Sequence, residues 1–211
     1  MEIVQFTAGP FSVNTYLLIQ DRKGLLIDPG FFTNEEFQLF RERVEEEKCE
    51  LVAILLTHAH VDHVFGLSLV LSRYDAPVYL SHEDLTVWNN FELQAKKYGF
   101  QHGGFDFIPE ELPSNSSVTV NGFTFETLFT PGHSPDHISF YFKVHDFLIA
   151  GDALFRESIG RTDLYKGDLN TLLTSIRTRL YSLPHQTVVY PGHGPATTIG
   201  HEIENNPFTK R

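Results

Sequence analysis

A single cysteine, Cys49, occurs in 211 residues, so no intrachain disulfide can form and a thiolate-rich metal site is excluded. It lies among Glu47, Lys48 and Glu50, a bystander position. Basic residues are also scarce: 16 Lys and Arg stand against 27 Asp and Glu, a formal net charge of -11 that no basic run offsets. This balance argues against a nucleic-acid partner. No apolar run reaches membrane-spanning length, and residues 1–6 lack a basic segment followed by a long apolar core. The expectation is a cytoplasmic protein with no membrane partner. What is present, 41% hydrophobic and 20% charged residues, is an ordinary globular composition, long enough to bury a substantial core.

Against that background, Thr57-His58-Ala59-His60-Val61-Asp62-His63 concentrates four metal-capable side chains within six residues. They follow the apolar run 51–56, which reads as a buried strand. They precede Val64, Leu67, Val70 and Leu71, spaced as on an amphipathic helix. All four polar groups are therefore expected on the turn between strand and helix. Extended backbone from His58 to His60 would point both imidazoles to one side, where they can share an ion. Asp62 and His63 follow where the chain changes direction and are aimed at a second position, which suggests two adjacent metal sites. The alternative is a set of hydrogen-bonded polar residues with no metal, but that density would leave several polar atoms in need of partners in a partly buried place.

Around this stretch the pattern is mixed α/β. Segments 3–7, 15–20 and 25–28 are short and apolar with turn residues between them, as in an antiparallel meander. Residues 31–47 carry Phe37, Phe40 and Val44 on one side and acids elsewhere, the mark of a surface helix on a sheet. A second buried strand is expected at 77–80 and a helical stretch at 83–97. There Trp88, Phe91 and Tyr98 fall at helical spacing and read as core. Residues 99–116, with three glycines and two prolines, read as a long loop positioned to cover a site. Asn121-Gly122 splits 117–120 from 123–129 as a hairpin. Strands at 137–142, 147–150 and 187–190, a helix at 169–181 and a short helix near 200 complete the chain. Strands come first, then strand–helix alternation, and the order repeats. This predicts an αββα sandwich of two similar halves, with residues 1–211 forming a single domain.

Three further polar residues sit just past strand ends: His133 in Thr130-Pro131-Gly132-His133, Asp152 after Gly151, and His193 in Tyr190-Pro191-Gly192-His193-Gly194. Glycine permits close backbone approach on such turns and proline stiffens them. With His58-Ala59-His60-Val61-Asp62-His63 they fill all seven positions, in order, of a signature that resembles the metallo-β-lactamase superfamily. Within it the chain is similar to short type II glyoxalases, through residues 131–137, 151–155, 158–164 and 192–200.

The resemblance implies that His58, His60 and His133 hold one divalent ion and Asp62, His63 and His193 the other, with Asp152 bridging. Nitrogen and oxygen donors suit zinc and would also accept iron or manganese. Asp62 and Asp152 are the implied catalytic carboxylates. The implied reaction is hydrolysis of a glutathione thioester, S-lactoylglutathione giving D-lactate and glutathione, through a metal-bound hydroxide. Longer type II glyoxalases continue into a helical domain whose basic residues hold glutathione, whereas 18 residues follow His193 here. Arg156, Arg161, Tyr165 and Lys166 could take over that role, or Arg161 and Asp163 could simply brace a loop. Asp28 either orients a ligand histidine or forms its turn. His82, His102, His137, His145, His185 and His201 lie outside the signature, and His137 reads as structural. The rival activities are a mononuclear-iron persulfide dioxygenase using His58, His133 and Asp152, a lactonase-type hydrolase, and a non-enzymatic metal-binding protein.

Overall fold

The computed structural model describes residues 1–210. The chain forms two compact units: residues 1–80 with 85–112, and residues 81–84 with the chain from Pro113 onwards.

The first unit begins with the expected meander, β1 (Glu2–Ala8), β2 (Val13–Gln20) and β3 (Lys23–Ile27), paired antiparallel. Helix α1 (Asn34–Glu46) starts three residues later than its apolar spacing suggested, because Thr33 is extended and caps it. The Thr33 hydroxyl accepts the Glu36 N–H while the Glu36 carboxylate accepts the Thr33 N–H, a reciprocal capping box. Its Phe37, Phe40 and Val44 are buried with Phe31, Leu17, Leu26 and Ile54 in the unit's core. β4 (Glu50–Leu55) adds parallel to β3. The expected continuous helix after it is two pieces, α2 (Val61–Val64) and α3 (Leu67–Leu71), separated at Phe65-Gly66. β5 (Val78–Leu80) follows, then α4 (Thr86–Asn89) and α5 (Phe91–Lys97), again two short helices where one was expected. Trp88 and Phe91 are buried as anticipated, but Tyr98 is 37% exposed. The segment after α5 is anchored within this unit. Phe105 stacks on Trp88 at 4.7 Å, Phe100 meets Phe65 at 5.1 Å, and β6 (Glu110–Glu111) pairs parallel with β5.

The second unit is built on β7 (Ser117–Val120) and β8 (Phe123–Phe129), joined by Asn121 and Gly122 at φ 50° and 102°. Positive φ at both turn residues is what a two-residue hairpin demands, and Asn-Gly supplies it. β9 (Ile138–Phe142) and β10 (Phe147–Gly151) continue the sheet antiparallel. A separate hairpin, β11 (Leu154–Phe155) and β12 (Ser158–Ile159), then intervenes, too short to be read from periodicity. Helix α6 (Leu169–Ser175) runs into a π-helical turn over 176–180. β13 (Val188–Pro191) joins β10 in parallel, β14 (Thr197–Thr198) forms the edge, and α7 (Ile199–Asn205) closes the unit. Leu148, Ala150, Leu172, Ile176, Leu180, Val189 and Ile199 form a core of this unit. No helix among the described residues is long and apolar enough to cross a membrane.

Asp168 caps α6, and its N–H donates to the Gly132 carbonyl at 2.8 Å. Hydrogen bonds from Thr171 to its carboxylate hold that carboxyl below the usual range. A group whose folded pKa is lowered stabilises the fold above its unfolded pKa, about 3.9, and that contribution is lost as pH falls through the folded value. Asp168→Asn keeps a good cap without the titrating charge. Thermal unfolding followed from about pH 5 down to about pH 2 should show a shallower acid-induced fall in Tm for the variant than for the parent. Superimposable profiles would remove this role from Asp168.

Candidate metal centre

In the first unit, β4 delivers the chain to Thr57 and His58, and His60 remains extended at the start of α2. The turn was expected to carry all four polar groups. Instead it carries His58 and His60, while Asp62 and His63 occupy α2, because the chain becomes helical immediately after His60. The ring of His58 lies 4.7 Å from that of His60 and 4.2 Å from that of His63. His58 and His63 are fully buried, and the Asp62 side chain is 16% exposed.

Asp28 fixes this cluster. Buried just past β3 at φ 49°, it accepts the Thr57 N–H on Oδ1 at 2.7 Å and the Thr57 hydroxyl on Oδ2 at 2.7 Å. Its Oδ2 also lies 2.9 Å from His63 Nδ1. A carboxylate can only accept, so Nδ1 of His63 carries the ring proton and Nε2 keeps its lone pair. Thr57 extends the logic. Its one hydroxyl proton is spent on Asp28, so at 3.0 Å from His58 Nδ1 its oxygen accepts, and His58 too presents an unprotonated Nε2. Of the two readings open for Asp28, the orienting one is what the hydrogen bonds describe.

In the second unit, His133 follows β8 on a turn where Gly132 has φ 125°. A Cβ at Gly132 would lie 2.3 Å from the Leu172 backbone nitrogen, so only glycine lets α6 close against this turn. His133 Nδ1 donates to the Arg161 carbonyl at 2.8 Å, again leaving Nε2 basic. Asp152 follows β10, and its Oδ2 lies 3.5 Å from His133 Nε2 and 3.4 Å from His193 Nε2. The His193 turn is tied to the same strand end by Gly192 N–H to the Gly151 carbonyl, 2.8 Å.

His137, read as structural, supports the site directly. Its Nε2 accepts the Asp152 N–H at 3.0 Å, so its Nδ1 carries the proton and donates to Thr130 Oγ1 at 2.8 Å. His137 is fully buried as a neutral, doubly hydrogen-bonded ring that sets the backbone of Asp152. Its position four residues after His133 was the only signal. The Arg161 carbonyl had none, since every residue carries one.

The four residues considered for substrate contact are differently engaged. The Arg161 guanidinium forms a two-bond fork on Asp163, 2.7 Å each, which is the loop-brace alternative. Lys166 is bound to Asp84 at 2.7 Å and stands 5.4 Å over the Tyr165 ring, and the Asp84 hydrogen bond raises its pKa. Arg156 is exposed at the turn of the β11–β12 hairpin.

The metallo-beta-lactamase superfamily profile matches residues 8–193, and the chain belongs to that superfamily. Its fold is the αββα metallo-β-lactamase fold of mixed sheets flanked by helices, and the protein is a metallo-hydrolase of that family. It is similar to the probable metallo-hydrolase YqgX of Bacillus subtilis, 40% identical over 95% of this chain and 93% of that one. It is also similar to the hydroxyacylglutathione hydrolase GloC of Haemophilus influenzae, 36% identical over 99% and 97%. Among solved structures it resembles the B3 metallo-β-lactamase BLEG-1, with a TM-score of 0.87 and 36% identity over all of both chains. TTHA1623 in a di-iron-bound form gives 0.86 and 38% over 97% and 99%. ETHE1 from Myxococcus xanthus gives 0.78 and 29% over 98% and 84%. The His and Asp donor set, together with a di-iron-bound neighbour, fits a dinuclear metal site.

Removing the Asp28 carboxylate strands three buried donors. Asp28→Ala is expected to cost about 1–3 kcal/mol for each donor left without an acceptor, read as a lower urea midpoint of the metal-free protein. A parent-like midpoint would show that the carboxylate is not what holds Thr57 and His63.

Proposed function

We propose that the chain is a dinuclear metal-dependent hydrolase of glutathione thioesters. In this reading His58, His60 and His133 hold one ion, Asp62, His63 and His193 the other, and Asp152 is shared. Residues 1–211 then work as one domain, and the protein acts in the cytoplasm. The observation that carries the reading is the spacing around Asp152 Oδ2, 3.4 and 3.5 Å from two histidine Nε2 atoms. That is long for a good hydrogen bond. Two donors each about 2.0–2.1 Å from one tetrahedral ion stand about 3.4 Å apart. The all-nitrogen-and-oxygen donor set, with Cys49 buried elsewhere, suits zinc and equally admits iron or manganese.

Bound ions of this kind make water nucleophilic near neutral pH and stabilise negative charge on an acyl oxygen. The protein's own part is placement. Arg161, Thr57 and Asp28 fix the rings, and Asp152 and Asp62 contribute the negative charge. The partly exposed Asp62 carboxylate accepts a proton from the attacking water. Oxygen adds to the acyl carbon, the carbon–sulfur bond breaks, and the thiol leaves with a proton. Thioester chemistry is favoured by the likeness to GloC. Of the four residues considered for the anionic thiol, Arg156 is the one whose guanidinium is not committed to a carboxylate among the described residues, so it makes that contact here.

The second reading, an iron-dependent dioxygenase, is supported by the likeness to ETHE1, and β-lactam hydrolysis by the likeness to BLEG-1. Purified protein with its metals counted should cleave S-lactoylglutathione without consuming oxygen. Oxygen uptake with glutathione persulfide, or β-lactam turnover exceeding thioester turnover, would replace the assignment. Asp152→Ala should lose metal and lower thioester hydrolysis by more than about 100-fold together. A variant that keeps both ions would refute the shared role of Asp152.

A further inference from the structure

We propose that Glu202 and Asn206, at the end of the chain, are positioning residues for the metal centre. They hold the tip of the β11–β12 hairpin, and through it the Arg161 carbonyl that fixes the His133 ring. This rests on the ligand roles proposed above for His133 and Asp152.

The hairpin leaves Asp152 and returns to Gly160 and Arg161, so its two ends carry one proposed ligand and the acceptor of another. The return passes very close. A Cβ at Gly160 would lie 1.9 Å from the Asp152 carbonyl oxygen and 3.1 Å from His133 Nδ1. Any drift of this strand is therefore felt at both residues. Yet the hairpin has little to hold itself, with only the pairs Leu154–Ile159 and Phe155–Ser158. Two-stranded ribbons are marginal without outside support.

Leu154 and Ile159 are buried in this unit's core, and the tip beyond them is held by the C-terminal segment. Glu157, at the tip with φ 55°, donates its N–H to Glu202 Oε2 at 2.8 Å. Asn206 Nδ2 donates to the Ser158 carbonyl at 3.0 Å and to the same Glu202 oxygen at 2.9 Å. The other carboxylate oxygen accepts the Thr197 hydroxyl at 2.6 Å, four residues beyond His193. His201 Nε2 lies 2.9 Å from the Glu157 carboxylate and 4.0 Å from Glu202 Oε1. Glu202 and Asn206 are both fully buried. A buried carboxylate held mainly by neutral hydrogen-bond donors is costly, and Leu154 and Ile159 already pack the hairpin's strands into the core. What the carboxylate adds is a fixed position for two backbone groups, the Glu157 N–H and, through Asn206, the Ser158 carbonyl.

The role is tested by Glu202→Ala, with Tyr181→Phe as the control. Tyr181→Phe removes the hydroxyl bonds to the Glu202 carbonyl and Thr209 but leaves the hairpin contacts intact. In metal-free protein, Glu202→Ala should speed hydrogen exchange at the Glu157 amide and the His133 Nδ1 proton by at least about tenfold. Competition with a chromophoric chelator should show zinc held about tenfold more weakly. Tyr181→Phe should lower Tm while moving neither quantity, and Glu202→Gln, which keeps one accepting oxygen, should lie between parent and Glu202→Ala. Parent-like exchange and zinc affinity in Glu202→Ala would overturn the proposal, as would equal shifts in Tyr181→Phe. Should Glu202→Ala not fold, Asn206→Ala carries the same expectation at the Ser158 end. His133→Ala binding zinc as tightly as the parent would remove the ligand assignment and this inference with it. Loss of zinc in His133→Ala but not in Glu202→Ala would remove this inference alone.

Discussion

An imidazole offers a cation one nitrogen only when the proton on the other has been given a place, and this constraint organises the site. His58, His63 and His133 each have Nδ1 against a fixed oxygen: the Thr57 hydroxyl, the Asp28 carboxylate and the Arg161 carbonyl. Three different chemical groups do the same job because each can accept and is held where it stands. Thr57 shows how economical the arrangement is. One hydroxyl proton given to Asp28 decides the tautomer of His58. The strands matter here chiefly because they fix these acceptors. Asp28 lies just past β3, and its own N–H is bonded to the carbonyl of Leu55 on the neighbouring β4.

How much of this was legible follows from what kind of signal each feature leaves. Donor residues are chemically distinctive and crowd strand ends, so His58, His60, Asp62, His63, His133, Asp152 and His193 stood out as candidates from residue type and spacing, before any coordinates. The hairpin at Asn121-Gly122 was legible for a similar reason, since few dipeptides tolerate two positive φ values. Boundaries were less so. Apolar spacing alone extended α1 back to Phe31, because spacing cannot see that Thr33 spends its hydroxyl on a cap. It also fused α2 with α3, since Val64, Leu67, Val70 and Leu71 keep helical phase across the break at Gly66. The β11–β12 hairpin has two residues per strand, below the length at which alternation means anything. Supports that are backbone atoms, such as the Arg161 carbonyl, leave no trace in side-chain identity.

The cations near Asp152 illustrate a different limit. Residue type put forward Arg156, Arg161 and Lys166 together, and sequence proximity offered a counter-ion, Asp163, for Arg161 alone. In the structure Asp163 is only two residues from Arg161, close enough for a planar two-bond fork. Lys166 finds Asp84, which is 82 positions away in sequence and cannot be paired with it by inspection. A guanidinium held in a fork has fewer donors left to offer an anion, and its charge is already partly met. Arg156 sits exposed on the hairpin turn, where the neighbouring Glu157 is engaged by His201.

Asp28 and Glu202 are among the carboxylates buried almost completely from water, and among the described residues neither pairs with a lysine or arginine. An ion in such a place is tolerable only if its lone pairs are met by well-aimed donors. Asp28 meets a backbone N–H, a hydroxyl and an imidazole N–H; Glu202 meets a backbone N–H, a hydroxyl and an amide. Neutral donors of this sort have fixed directions, whereas a lysine would satisfy the charge from many positions. The choice of donors therefore trades Coulombic stabilisation for geometry. In each unit the geometry so fixed belongs to a histidine ring: that of His63 directly in the first, and that of His133 through a hairpin and a carbonyl in the second.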